Sequence, residues 1–287
     1  MQQIEIKNVS YEYRINKKET FKALEDVSFG VEKGEFVAIV GKTGAGKSTL
    51  IQMLNGLLLP TSGEVLVENF VVSSDKKRRS KKLFLLRKLV GMVFQFSEYQ
   101  LFEESVLKDV MFGPKNFGLK DNEAKKVSIE ALKSVGINEN YFNKSPFELS
   151  GGEKRKVAIA GILASNPEII VLDEPTAGLD PSSKIEIMNL IEKLNKEGKT
   201  IILVTHDMDV VMNYATKVIV LNDSKLVKNT TPEKLFNEEN IEDYSLEIPM
   251  FYQFKKELKN AGFKKDLTSI NDLNKLIDVI CSEKNDG

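Results

Sequence analysis

A chain of 287 residues, 41% hydrophobic and 29% charged, is long enough to bury one full-sized core with a small appendage. Its 41 basic residues nearly cancel its 42 acidic ones; the formal net charge of -1 gives no global field toward nucleic acid or anionic lipid, so partners are recognised through local surfaces. The single cysteine, Cys281, excludes an internal disulfide, the first residues lack a secretory pattern, and no apolar stretch approaches the roughly 20 residues of a membrane helix. The expectation is a soluble protein of a reducing, cytoplasmic compartment, held at any membrane by another subunit.

Gln3 to Ser10 alternates polar and apolar residues and Val27 to Val31 resumes the pattern, which predicts an opening antiparallel sheet with polar Arg14 to Thr20 as its hairpin loop. Glu35 to Val40 is a mostly apolar strand running into a glycine-rich turn, and Ser48 to Leu58 has helix composition. Six of the seven residues from Lys76 to Lys82 are basic; without interleaved aromatics or an amphipathic stripe, the run reads as a solvated face rather than a phosphate or lipid patch. Lys120 to Val135 predicts a helix with Ala131, Leu132 and Val135 on one face. The short apolar runs Ile169 to Leu172 and Ile201 to Val204 flank a helical segment at Ser183 to Asn195; such runs suit parallel strands buried on both faces, and hence an α/β fold. After about Leu246 the chain changes character. Phe251, Phe254 and Leu258 share one helical face, while Leu273, Leu276, Ile277 and Ile280 share another behind a Ser269 cap with Asp272 three residues on. Residues 247–287 thus form a small helical unit.

Gly41, Lys42, Thr43, Gly44, Ala45, Gly46, Lys47 and Ser48 match the phosphate-loop pattern G-x-x-x-x-G-K-S, with Thr49 following, between a predicted strand and a predicted helix. Glycines let the backbone wrap close to a triphosphate and aim N–H groups at it, and the helix N-terminus adds positive potential. Lys47 is placed to reach the β and γ phosphates and Ser48 to hold magnesium. Ile169 to Glu174 is an apolar strand ending in two carboxylates. Alone, such a pair is an ordinary loop start. Downstream of a phosphate loop, Asp173 is placed for the magnesium shell and Glu174 for orienting and polarising the attacking water.

Leu149-Ser150-Gly151-Gly152-Glu153, roughly a hundred residues after the phosphate loop and shortly before the carboxylate strand, closely resembles the ABC signature Leu-Ser-Gly-Gly-Gln. The resemblance covers residues 3–246 and implies a P-loop NTPase of ABC type. Its expected parts are a mixed, largely parallel sheet core, an antiparallel N-terminal sheet and an α-helical signature subdomain over about 96–165. It also implies ATP and magnesium as cofactors, with Ser150, Gly151, Gly152 and Glu153 facing the γ-phosphate held by a second subunit. Glu153 departs from the commoner glutamine and is expected to alter affinity more than mechanism. Gln95 resembles the glutamine that touches magnesium and water and lies against the transport subunit. Gly178 and Asp180, in Ala177-Gly178-Leu179-Asp180, resemble the loop crossing the dimer interface. His206, the only histidine, resembles the switch histidine that bonds the γ-phosphate and helps position Glu174. Tyr13 stands where the family has an aromatic stacking on adenine, with Tyr11 as the alternative.

Two classes of ABC ATPase compete: the energy module of a membrane transporter, and a soluble ATPase acting on DNA or ribosomes. The latter carry a long coiled coil or two tandem cassettes, and this chain has neither. Val93 to Gly118 resembles the ATP-binding subunit of energy-coupling factor transporters, most closely the second of their two paralogous ATPases. The Arg14 to Thr20 loop, the run Val157-Ala158-Ile159-Ala160-Gly161 and the C-terminal helices agree with it. The resemblance implies a homologous ATPase partner (a heterodimer, with a homodimer as the alternative) and peripheral attachment at the cytoplasmic face of the cell membrane. It further implies a membrane scaffold subunit docked around Gln95 to Phe112 and substrate-binding membrane subunits for vitamins or transition metals, with no nucleic acid. In a plainer reading Tyr99, Leu101 and Phe102 are packing residues. The C-terminal helices either join the two ATPases or fold back on their own domain.

Overall fold

The computed structural model describes residues 2–16, 19–238, 240–263, 265–267, 270 and 273–285. In chain order the strands and α-helices are β1 (Gln2–Arg14), β2 (Thr20–Glu32), β3 (Phe36–Val40), α1 (Lys47–Leu54), β4 (Ser62–Val67), β5 (Phe70–Val72), α2 (Leu83–Leu89) and β6 (Val90–Val93). They continue with α3 (Val106–Asn116), α4 (Asp121–Ser134), α5 (Gly151–Leu163), β7 (Ile169–Asp173), α6 (Pro181–Lys196), β8 (Thr200–Val204) and α7 (Met208–Tyr214). The last are β9 (Lys217–Asn222), β10 (Lys225–Thr230), α8 (Pro232–Phe236), α9 (Met250–Asn260) and α10 (Leu273–Asn285).

β1 and β2 form the expected hairpin and join β4 and β5 in an antiparallel sheet ordered β2-β1-β4-β5. The second sheet is ordered β10-β9-β3-β8-β7-β6, parallel throughout except for β10 at its edge. Its central strands are buried on both faces, and the period of two sends alternate residues to different cores. Ile169 and Val171 of β7 pack with α1 and the antiparallel sheet. Ile170 and Leu172 pack with α3, α4, α5 and α6. The parallel sheet therefore stands between the hairpin layer and the helical subdomain, and the ends of β3, β7 and β8 open onto a shared edge.

Local boundaries have local causes. α1 stops at Leu54, earlier than the expected Leu58, because Gly56 turns left-handed (φ 69°). α6 begins at Pro181, where Asp180 caps it by accepting from Ser183 N–H at 3.0 Å. The Lys76 to Lys82 run is largely exposed, as a solvated face should be, with Arg78 paired to Glu64 at 2.8 Å. Among the described residues, no helix is long and apolar enough to cross a membrane.

The C-terminal segment folds back on its own domain. Tyr252 of α9 is 6% exposed and packs with Ala38, Val40, Val211, Val218 and Phe236. The buried face of α9 centres on Tyr252 and Lys255, so the expected stripe is rotated and Phe254 faces outward. Lys255 is tolerated inside because its Nζ donates to the Ile270 carbonyl at 2.9 Å and lies 4.6 Å from the Tyr252 ring centre. Leu276 of α10 is buried with Leu267 and Ile270, against Phe251 and Leu258. The expected Ser269 cap and Asp272 lie outside the described residues.

Candidate nucleotide site

β3 delivers the chain into the loop 41–46, and the loop closes onto the N-terminus of α1. Gly46 caps that helix with φ 99°, a conformation only glycine adopts freely. Ala45 turns its side chain into the core, so it contributes backbone alone. Lys47 folds back over the loop, donating from Nζ to the Gly41 carbonyl at 2.6 Å and the Lys42 carbonyl at 3.0 Å. Burial pushes its pKa below the ordinary lysine value, against the raising pull of Glu174 and Asp173. A triphosphate in the loop offers Lys47 a stronger partner than these carbonyls.

Asp173 ends β7 and is 7% exposed; burial raises its pKa, while the Ser48 hydroxyl and Lys47 pull the other way. Glu174 follows in the left-handed region (φ 48°), its N–H bonded to the Val204 carbonyl at 2.9 Å. That register brings the end of β8 alongside, and His206 Nδ1 lies 2.9 Å from Glu174 Oε1. The His206 side chain is 77% exposed at the rim.

These groups surround one cleft of about 600 Å³, lined by Gly41, Lys42, Thr43, Gly44, Gly46, Lys47, Ser48, Thr49, Gln95, Asp173, Glu174 and His206. The structure thus gathers residues as far apart as Gly41 and His206 into a single polar cleft. Tyr13 stands beside it, its Oη 3.1 Å from Thr49 Oγ1, with its ring edge-on to Tyr11 at 4.8 Å. Tyr11 packs against the core, whereas Tyr13 is exposed.

Ser150, Gly151, Gly152 and Glu153 do not line this cleft; they form the N-terminus of α5. Ser150 caps the helix, and its hydroxyl donates to Glu153 Oε2 at 2.8 Å. Gly178 and Asp180 lie on the loop between β7 and α6, where hydrogen bonds from Ser183 hold the Asp180 carboxyl below its ordinary pKa.

Sequence reasoning missed three neighbours of the site. Phe21 lines the cleft from β2, opposite Tyr13 in the hairpin register; an exposed aromatic facing another across a hairpin was the available signal. Ser245, left-handed at φ 56°, reaches the cleft from the C-terminal segment, and nothing in its sequence surroundings marks it. Arg155, fully buried in α5, bonds the carbonyls of the turn after β7.

A glycine loop wrapped on a helix N-terminus, a buried strand-end carboxylate, a second carboxylate paired with histidine and a separate signature helix together define an ATPase of the ABC class. The family described as "ABC transporter" matches residues 24–177. The chain is 47% identical over 278 residues to the energy-coupling factor transporter ATP-binding protein EcfA2 of Streptococcus agalactiae, covering 96% of this chain and 98% of that one. It is 47% identical over 262 residues to EcfA3 of Oenococcus oeni, covering 91% and 90%. Among solved structures it is similar to cbiO1 from Clostridium perfringens, described as part of the ABC transporter complex cbiONQ (TM-score 0.72, 37% identity, 89% of this chain and 99% of that one). It is also similar to the dimeric ATP-binding cassette MJ0796 bound to ADP and Pi (TM-score 0.70, 34% identity, 80% and 98%). The chain belongs to the energy-coupling factor transporter ATP-binding proteins, a family of ABC ATPases.

Proposed function

We propose that this chain powers an energy-coupling factor importer for vitamins or transition metal ions from the cytoplasmic face of the cell membrane, paired with a homologous ATPase. The observation that carries this is the separation of a complete phosphate cleft from an exposed signature helix end on the same chain. Two such chains head to tail place each signature over the other's cleft, so that nucleotide joins them. Ser150 and the backbone N–H groups of Gly151 and Gly152 then supply donors to a γ-phosphate that its own subunit lacks.

The residues present fit magnesium: Ser48, Gln95 and Asp173 offer hard oxygen donors, and a buried carboxylate with a raised pKa is relieved by a cation. Magnesium, when bound, would neutralise charge on the β and γ phosphates. Lys47 would reach the β and γ phosphates from the loop. Glu174 orients and polarises the attacking water, while His206, with Nδ1 on Glu174, turns Nε2 toward the γ-phosphate. Loss of these contacts after hydrolysis lets the dimer open.

A membrane scaffold subunit docks beyond Gln95, and substrate-binding membrane subunits supply specificity. Leu101 is a buried packing residue, whereas Phe96, Tyr99, Phe102 and Phe112 are exposed, with Phe102 and Phe112 edge-to-face at 5.0 Å. The outward Phe254 and Ile277 give the C-terminal helices a face for holding the two ATPases together when nucleotide leaves. Gentle detergent purification of the tagged native protein, with mass-spectrometric identification of its companions, tests the proposal. Two distinct ATPases and two membrane proteins are expected; recovery only with ribosomes or DNA refutes it.

A further inference from the structure

Arg155 has the greatest residue volume among the fully buried side chains, and no step of hydrolysis uses it. A guanidinium keeps its charge, so its burial must be matched by partners. Nε lies 2.8 Å from Glu98 Oε2, and Nη2 donates to Glu98 Oε1 at 3.0 Å. On the other side, Nη1 donates to the Pro175 carbonyl at 3.0 Å and the Glu174 carbonyl at 3.4 Å, and Nη2 to the Ala177 carbonyl at 3.3 Å. One rigid planar group therefore ties the helix that begins at the signature to two separate turns.

Each turn is anchored beside a residue in a costly conformation. Glu98 lies in the short 3-10 turn Ser97–Gln100, which starts from Phe96 at φ 56° immediately after Gln95. The other turn starts from Glu174 at φ 48°. Left-handed non-glycine residues persist only where their surroundings over-determine them, and Arg155 supplies that constraint on both sides. Tyr99, next to Glu98, is 83% exposed, so the same turn presents its other side to the surface.

We propose that Arg155 and Glu98 are a positioning pair that couples the exposed turn 97–100 to the backbone of Glu174. Displacing the turn moves Glu98 and carries Arg155 with it, which shifts the carbonyls it holds at Glu174, Pro175 and Ala177. The Glu174 carboxylate then changes its aim relative to His206 and the water it orients. The coupling is reciprocal, so nucleotide in the cleft also moves the turn. This rests on Glu174 as the catalytic carboxylate, and a turnover assay of Glu174→Gln tests that reading separately.

The chain has no tryptophan, so Tyr99→Trp places a single fluorophore on the turn. A non-cleavable ATP analogue is titrated into this reporter chain and into reporter chains carrying Glu98→Gln or Arg155→Gln. The analogue should shift emission in the parent reporter, and either variant should reduce that shift at least about fivefold while the analogue's Kd stays within about threefold. Turnover should fall about tenfold to a hundredfold in kcat at nearly unchanged KM, as for a misplaced catalytic group. The double variant should be no worse than the poorer single. A purely structural staple would instead lower the melting temperature and leave the shift intact in the folded fraction. Glu98→Gln keeps an amide oxygen for Arg155 and carries the test if Arg155→Gln does not fold. A parent reporter silent to the analogue, or a shift undiminished in the variants, overturns the proposal.

Discussion

Gly44→Ala and Gly46→Ala are the same chemical change two residues apart, at φ +85° and +99°, yet the structure assigns them different costs. A left-handed L-residue costs about 1–2 kcal/mol at either position. A Cβ on Gly44 meets no heavy atom within 4 Å, so that strain is its whole expense. A Cβ on Gly46 would lie 2.2 Å from the Ala23 carbonyl oxygen and 2.7 Å from Leu24 Cδ2, contacts that force β2 and the loop apart. Such overpacking adds about 1–3 kcal/mol. At about 3 °C per kcal/mol for a protein this large, Gly44→Ala should melt about 4 °C lower than the parent and Gly46→Ala about 10 °C lower. The displaced loop of Gly46→Ala should also lose nucleotide binding, because its amides no longer converge on the phosphates, whereas Gly44→Ala should retain it. Circular dichroism melts without nucleotide and titration with a fluorescent ATP analogue measure both effects. Equal losses in melting temperature, or a milder Gly46→Ala, would refute the reasoning.

Glu174→Gln should keep nucleotide binding and lower phosphate release about 100-fold or more; near-normal turnover would reject Glu174 as the water-orienting group. Lys47→Ala should weaken ATP binding by about 1.5–3 kcal/mol, the worth of a charged hydrogen bond, and tight binding in calorimetry would count against the role of Lys47. Burial raises the Asp173 pKa above the ordinary aspartate value, so its folded form holds a proton more tightly than the unfolded chain does. The resulting stability is present below the ordinary aspartate pKa and is lost as pH rises through the raised folded pKa, which leaves the ionised group a net cost in the nucleotide-free protein at neutral pH. Asp173→Asn should therefore raise the melting temperature of the empty protein at pH 7 while weakening magnesium-dependent ATP binding; a lower melting temperature would contradict it. Glu153→Gln retains the helix cap but removes the carboxylate that accepts the Ser150 hydroxyl hydrogen bond at 2.8 Å and would face the partner's γ-phosphate. ATP-driven association, measured by sedimentation in the hydrolysis-blocked Glu174→Gln background, should tighten about tenfold at low salt, with the gain shrinking as salt rises; identical association at all salt concentrations would refute it.

The phosphate loop and the strands β3, β7 and β8 were legible because their determinants are contiguous. Glycine spacing encodes a backbone path, and an unbroken run such as Ile169 to Leu172 has no polar face to leave in water. Asp173 and Glu174 were legible by position at the end of such a strand, and His206 by resemblance. The rotated stripe of α9 was not. Lys255 reads as a surface lysine, and its partners in the fold, among them the Ile270 carbonyl and the Tyr252 ring, make its burial tolerable. Ser245 gave no warning of its place in the cleft, since the approach depends on how the segment after α8 packs against β3, β9 and α7.

The amino-acid order alone determined that this chain folds a phosphate loop, ends a buried strand in paired carboxylates and caps a signature helix, because each rests on hydrogen bonds and steric limits spanning a few neighbouring residues. Only tertiary structure decided which buried charge answers which. Arg155 meets a carboxylate 57 positions away and carbonyls about 20 positions away. The stability of a buried ion depends on the three-dimensional arrangement of its partners, which sequence neighbourhood does not encode.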